Sequence, residues 1–221
     1  MSGNPRQTFE NALTELQQDI LRMGSLVEQA IATSLTALVR QDEELAQKVV
    51  DNDQVIDKLE LQIEDRCIKL LATQQPMAKD LRKISAGFKI ISDLERMGDH
   101  ACDIAKTVHR IGKKPFIKPL IDLPRMGELA QRMVKESLDA YVEESVDLAY
   151  SMSRDDDLVD HLHAQIFREL LTYMMEDPRT IEQATHLLFV SRYLERIADH
   201  ATNIGERVIY LVTGELHELN D

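Results

Sequence analysis

Leu94 to Ile104 reads LERMGDHACDI and Leu194 to Ile204 reads LERIADHATNI, with seven of eleven positions identical at a spacing of 100 residues. Upstream of each copy the match continues at an offset of 103. Ser34 and Leu35 lie over Ser137 and Leu138, and Leu45 and Ala46 over Leu148 and Ala149. Asp53, Asp57, Leu59, Gln62 and Ile63 lie over Asp156, Asp160, Leu162, Gln165 and Ile166. Two long matches at nearly equal offsets are the signature of a duplicated unit.

Each unit reads as three helices. Phe9, Leu13, Leu16, Ile20, Met23, Val27, Ala30 and Ser34 recur in steps of four and three, the seam of a long helix. Leu45, Val49, Ile56, Leu59, Ile63, Cys67 and Leu70 predict a second helix over about Glu43 to Leu71. Leu81, Ile84, Phe88, Ile91, Leu94, Ala101, Ala105 and Val108 predict a third over about Pro76 to Ile111. Pro76 suits a helix start, and Gly112 a stop. GKKPFIKPLIDLP, from Gly112 to Pro124, holds three prolines and cannot continue a helix, because an interior proline removes a hydrogen bond and clashes with the preceding turn. The expected fold is all-α: two tandem antiparallel three-helix bundles, six long helices in all, laid end to end or side by side. The units span residues 1–112 and 125–221, with a linker at 113–124.

Composition narrows the function. A net charge of −13 over 221 residues repels nucleic acid and anionic headgroups and attracts cations and basic protein surfaces. MSGNPRQTFENAL lacks the basic start and apolar run of a secretion signal, and no stretch reaches the ~18 apolar residues of a membrane span. A cytoplasmic protein is expected, meeting the membrane only through partners. Cys67 and Cys102 fall in helical apolar patterns and read as packing residues. Met23, Met77, Met126, Met133, Met174 and Met175 read as gap-filling core or a soft contact surface, with core the favoured reading.

The residues that could carry chemistry are acidic. Glu95, Asp99 and Asp103 stand four apart and form a drifting line on one helix, matched by Glu195, Asp199 and Asn203. Asp53 with Asp57, and Asp156 with Asp160, form pairs on the preceding helices. If the helices are neighbours, four or five oxygen-bearing side chains converge in each unit. Oxygen donors suit hard or borderline cations: iron, manganese, magnesium, calcium or loosely held zinc. A solvated acidic face is the usual explanation of any single pair, and Arg96 and Arg196 could make intrahelical ion pairs three residues on. Recurrence in both units is what favours a site. His100 and His200 point about 100° away from Asp99 and Asp199, so they either flank the site or pack between helices, and packing is the favoured reading. His161 and His163 read as surface residues.

No glutamate is followed three residues later by histidine, the pattern of carboxylate-bridged bundle oxidases. The eight glycines are scattered, so neither a phosphate-cradling loop nor a nucleophile elbow is formed. No enzyme is expected. The competing readings are a metal-dependent hydrolase acting on a phosphate compound and a metal-free helical spacer.

LERMGDHACDIAK and LERIADHATNIGE, together with MGSLVEQAI, QPMAKDLRKI and LLTYMMEDPRTI, make the chain resemble the PhoU family over nearly its whole length. The resemblance implies two three-helix bundles bearing multinuclear clusters of iron or zinc on motifs of Glu or Asp, three residues, then Asp. In this chain those motifs fall on Glu95 and Asp99 and on Glu195 and Asp199, with Asp53 and Asp57 or Asp156 and Asp160 as partner pairs. Asn203 stands where Asp103 stands in the first unit, so the second cluster is expected to hold less charge, bind more weakly or contain fewer ions. The resemblance implies also a negative regulator of phosphate uptake and phosphate-starvation signalling, joining the ATPase subunit of the phosphate-specific ABC transporter to a sensor histidine kinase. A homodimer is expected with it.

Overall fold

The computed structural model describes residues 5–219. Residues 1–4 and 220–221 lie outside them, and with them the outer bounds of the two expected units and the start of the stretch read as lacking a secretion signal. Helix α1 spans Pro5–Arg40, α2 Glu43–Gln74 and α3 Ala78–Ile111. After the linker come α4 (Asp122–Glu143), α5 (Val146–Ser151), α6 (Ser153–Glu176), a single 3-10 turn at Pro178–Thr180, and α7 (Ile181–Thr213). Among the described residues there is no strand, and no helix is long and apolar enough to cross a membrane.

Local chemistry sets the corners. The Asp42 carboxylate accepts from the Leu45 N–H at 2.9 Å and starts α2, and the Ser145 hydroxyl accepts from the Leu148 N–H at 3.3 Å and starts α5. Gly112 ends α3 at φ +62, its N–H reaching the Val108 carbonyl at 2.9 Å. Pro76 does not open α3, which begins two residues later behind Met77 in extended backbone. The linker is shorter than its prolines suggest. Helix α4 starts at Asp122 and takes Pro124 into its first turn, where the missing N–H has no intrahelical partner to lose. The helix expected over the equivalent of α2 is interrupted at Met152. The Ser151 and Ser153 hydroxyls donate to the Leu148 and Tyr150 carbonyls there, at 2.7 and 3.0 Å. Such local bonds compete with the regular helix. Meanwhile the Met152 side chain fills the space beside Gly205, where a Cβ would lie 2.4 Å from its Cε.

The two repeats pack side by side as one body. Helices α1 and α3 of the first face α4 and α7 of the second, and α2 and α6 lie on opposite outer sides, each touching its own repeat alone. One apolar core runs through both. The α1–α4 seam shows the pseudo-twofold directly: a Cβ on Gly24 would meet Leu138 Cδ1 at 2.3 Å, and a Cβ on Gly127 would meet Leu35 Cδ1 at 2.2 Å. Positions 24 and 127, like 35 and 138, are equivalents at the 103-residue offset. Each repeat thus inserts the same leucine over the other's glycine.

The heptad seam of α3 is only part of its buried surface. Ile90, Met97, Cys102, Ile104 and Thr107 are buried too, because α1, α2 and α7 surround it. Leu81, read as seam, is 45% exposed. Cys67 and Cys102 are buried and free, as expected of packing residues. Met23, Met126 and Met133 lie in the core, but Met77 and Met175 are 79% and 77% exposed, since each sits at a helix end beyond the bundle's cover.

Candidate metal-binding strips

In the first repeat, α2 lies against α3 and brings Asp53, Asp57 and Glu60 towards Glu95 and Asp99. The groups act on one another. Burial, then Asp99, then Glu60 and Asp57 push the Glu95 carboxyl up to about 7, against a lowering pull from Arg96. Burial and the neighbouring carboxylates Asp57 and Asp99 raise Asp53, although the Cys102 thiol donates to it. Glu60 is raised by burial, Glu64 and Asp57. Arg96 lies close by, its Nη1 3.5 Å from Asp99, the intrahelical pair its spacing predicts, and Lys106 acts on Asp53.

The second repeat repeats the plan. Burial, Asp160 and Asp199 push Asp156 up to about 6, with the Thr202 hydroxyl, which stands where Cys102 does, 3.4 Å from its Oδ1. Asp160 is raised by burial and Asp199. Arg196 pairs with Asp199 at 3.2 Å, and Glu195 is held by Arg192.

Asp103 and Asn203 belong to a different surface. Four residues turn a helix by about 400°, so each step drifts about 40° and the third member of the line stands about 80° from the first. That rotation carries them to the α3–α7 seam. Asn203 Nδ2 donates to Asp93 Oδ1 at 3.2 Å, and His200 Nδ1 lies 2.9 Å from the same oxygen. Asp103 pairs with Lys106 at 3.4 Å. His100 stacks on Tyr193 with centroids 5.7 Å apart and lies 5.8 Å from the His200 ring, so both histidines pack between repeats. Burial and His200 lower its pKa. His161 is exposed, but His163 is half-buried, its Nδ1 3.1 Å from the Ser191 hydroxyl.

Glu60 was missed in the sequence, although it stands three residues beyond Asp57 on the same face. Its equivalent at the 103-residue offset is His163. The two strips therefore differ here, at a position facing the strip, as well as at the seam. Among the described residues no three acidic, histidine or cysteine side chains already close around a point that could hold an ion. The strips nevertheless fit cations chemically. They are rows of oxygen donors whose mutual repulsion a bound cation would relieve, and their outer edges face solvent.

A family model described as "PhoU domain" matches residues 20–108 and again residues 123–208. The chain belongs to the PhoU family. A PhoU relative from Clostridium acetobutylicum, named a phosphate-specific transport system accessory protein PhoU homolog, is 46% identical over 98% of this chain and 99% of its own length. One of the same name from Aquifex aeolicus is 45% identical over 92% of each chain. The crystal structure of PhoU from Pseudomonas aeruginosa superposes with a TM-score of 0.90 at 39% identity, covering 94% of this chain and all of that one. The phosphate transport system regulatory protein PhoU from Streptococcus pneumoniae superposes at 0.89 and 34% identity, covering 96% of this chain. The all-α PhoU fold, with the duplication seen in the sequence, is the fold of this chain.

Proposed function

We propose that this PhoU protein is a regulatory accessory protein of the phosphate-specific transport system, acting as an adaptor without catalysis of its own. The observation that carries this reading is near full-length similarity to relatives bearing that name. In phosphate-replete cells it restrains phosphate uptake and the starvation response by joining the transporter's ATPase subunit to a sensor histidine kinase. Its long helix faces supply surfaces for two partners at once. Deleting the gene should raise phosphate-starvation gene expression in rich medium, and unchanged expression there would overturn the regulatory role. Purification from phosphate-replete cells should bring down the ATPase or the kinase, and recovery of neither would remove the adaptor.

The acidic strips are proposed as sites for iron or zinc, with manganese or magnesium as further candidates. Asp53, Asp57, Glu60, Glu95 and Asp99 would hold the cations of the first repeat, and Asp156, Asp160, Glu195 and Asp199 those of the second. A cation there supplies positive charge between two helices, fastening α2 to α3 and α6 to α7. Crowding of like charges in both strips supports this. Protein purified without chelator should carry at least one transition ion per chain. Less than that, with a melting temperature unmoved by added metal, would leave a metal-free adaptor.

A further inference from the structure

A cavity of about 360 Å³ opens between α1 and α2 of the first repeat. Its volume is within the range of side-chain and small-ligand pockets, roughly 300 to 1,000 Å³. Leu26, Ala30, Leu45, Val49 and Ile56 make apolar walls, with Gly98 of α3 beneath them. Gln29, Lys48 and Asn52 are exposed around it, and none of the three has a side-chain partner among the described residues. Asp53 is its one link with the acidic strip, which lies on the α3 side of α2.

The second repeat shows what this place looks like when it is covered. Ala30 is half-buried, whereas its equivalent Met133 is wholly buried. The Gln29 and Asn52 side chains have no partners among the described residues, whereas their equivalents Arg132 and Asp155 bond at 2.7 Å and bridge α4 to α6. The fold therefore tolerates a filled and bridged groove, and the first repeat leaves it open with a free cation, Lys48, at the rim.

We propose that this groove is a docking pocket for a helix of a partner protein, which inserts an unbranched apolar side chain where the second repeat places Met133. A carboxylate about one turn from that anchor meets Lys48. Repeat two identifies the shape and chemistry of the anchor, and charge complementarity identifies its flank. Methionine suits an irregular apolar gap because its side chain is flexible and polarizable.

The test uses the full chain and a lactam-stapled sixteen-residue helical peptide with one central methionine flanked by glutamates. Its siblings carry Met→Ala or Glu→Lys, and N-acetylmethionine serves as the small-molecule arm. Fluorescence anisotropy and methyl NMR should show the parent peptide binding at least tenfold more tightly than either sibling and than N-acetylmethionine. Binding should fall at least tenfold in Ala30→Met, which fills the pocket, and in Lys48→Glu. Should Ala30→Met fold poorly, Gln29→Arg with Asn52→Asp installs the bridge of repeat two across the mouth and should have the same effect. Equal binding of all three peptides, or binding indifferent to these substitutions, would overturn the proposal. So would N-acetylmethionine binding as tightly as the peptide, which would make this a small-molecule site. If Ala30→Met converts a dimer into a monomer in sedimentation, a second copy covers the groove and the partner assignment falls.

Discussion

Glu95 shows how a single carboxylate couples stability to pH. In the folded chain its carboxyl is pushed to about 7, against an ordinary 4.5. Below that ordinary value both folded and unfolded chains hold the proton, and the group costs nothing. As pH rises towards 7 the unfolded chain releases the proton while the folded chain keeps it, so folding stability falls; the loss is complete above 7. Glu95→Gln should therefore melt at a higher temperature than the natural protein at pH 8 in chelator, by about 1 kcal/mol once solvent screening is allowed for, and should match it near pH 4. Thermal melts at the two pH values check this, and an equal shift at both would contradict it. Metal should act in the opposite direction. Manganese or zinc at pH 8 should raise the melting temperature of the natural protein, and Glu95→Gln with Asp99→Asn should lose most of the gain contributed by the first strip. The positions of these carboxylates were legible in the sequence because the four-residue spacing recurs. The departure of Asp103 and Asn203 was hidden, because an 80° drift decides a neighbour only once the neighbouring helix is placed.

Among the elements, the α1–α4 seam depends on two leucines lying over two glycines. Leu138→Ala removes one of them and leaves a cavity over Gly24, at a cost of about 3 kcal/mol. Gly24→Leu fails from the opposite side, since even a Cβ there meets Leu138 at 2.3 Å, and overpacking costs about 1 to 3 kcal/mol. Denaturant titration measures both. A loss below about 1 kcal/mol for Leu138→Ala would mean that the seam collapses around the gap. The long helices were legible because a seam repeated over many turns leaves one answer. The break at Met152 was not, because it goes with the Met152 side chain filling the hole beside Gly205, which is a tertiary fact. Likewise the extra burial around α3 reflects its third neighbour, α7, which no periodicity within α3 announces.

For the whole molecule, the duplication supplies two bundles, and the structure makes them inseparable. Helices α3 and α7 form the most extensive contact in the molecule, and the apolar core is continuous across it. A repeat on its own would expose the face that carries Ile90, Ile104 and Thr107, as well as the leucine and glycine of the α1 seam. Exposed apolar faces of that size drive association or unfolding. The intact chain should therefore melt in a single transition, and spectroscopic probes placed in α2 and in α6 should report the same midpoint although those helices never touch. Two separate midpoints would show that each repeat is stable alone. Residues 1–112 expressed by themselves sharpen the test. They should be either largely unfolded by circular dichroism or self-associated in sedimentation, since the α1 and α3 surfaces that bind the second repeat could pair with another copy of themselves. A monomeric, fully helical fragment would mean that the seam adds little, and that the two strips answer to cations independently. With the seam intact, a cation that bound in either strip would stabilise one shared folded state, so loading one repeat should raise the melting temperature of both.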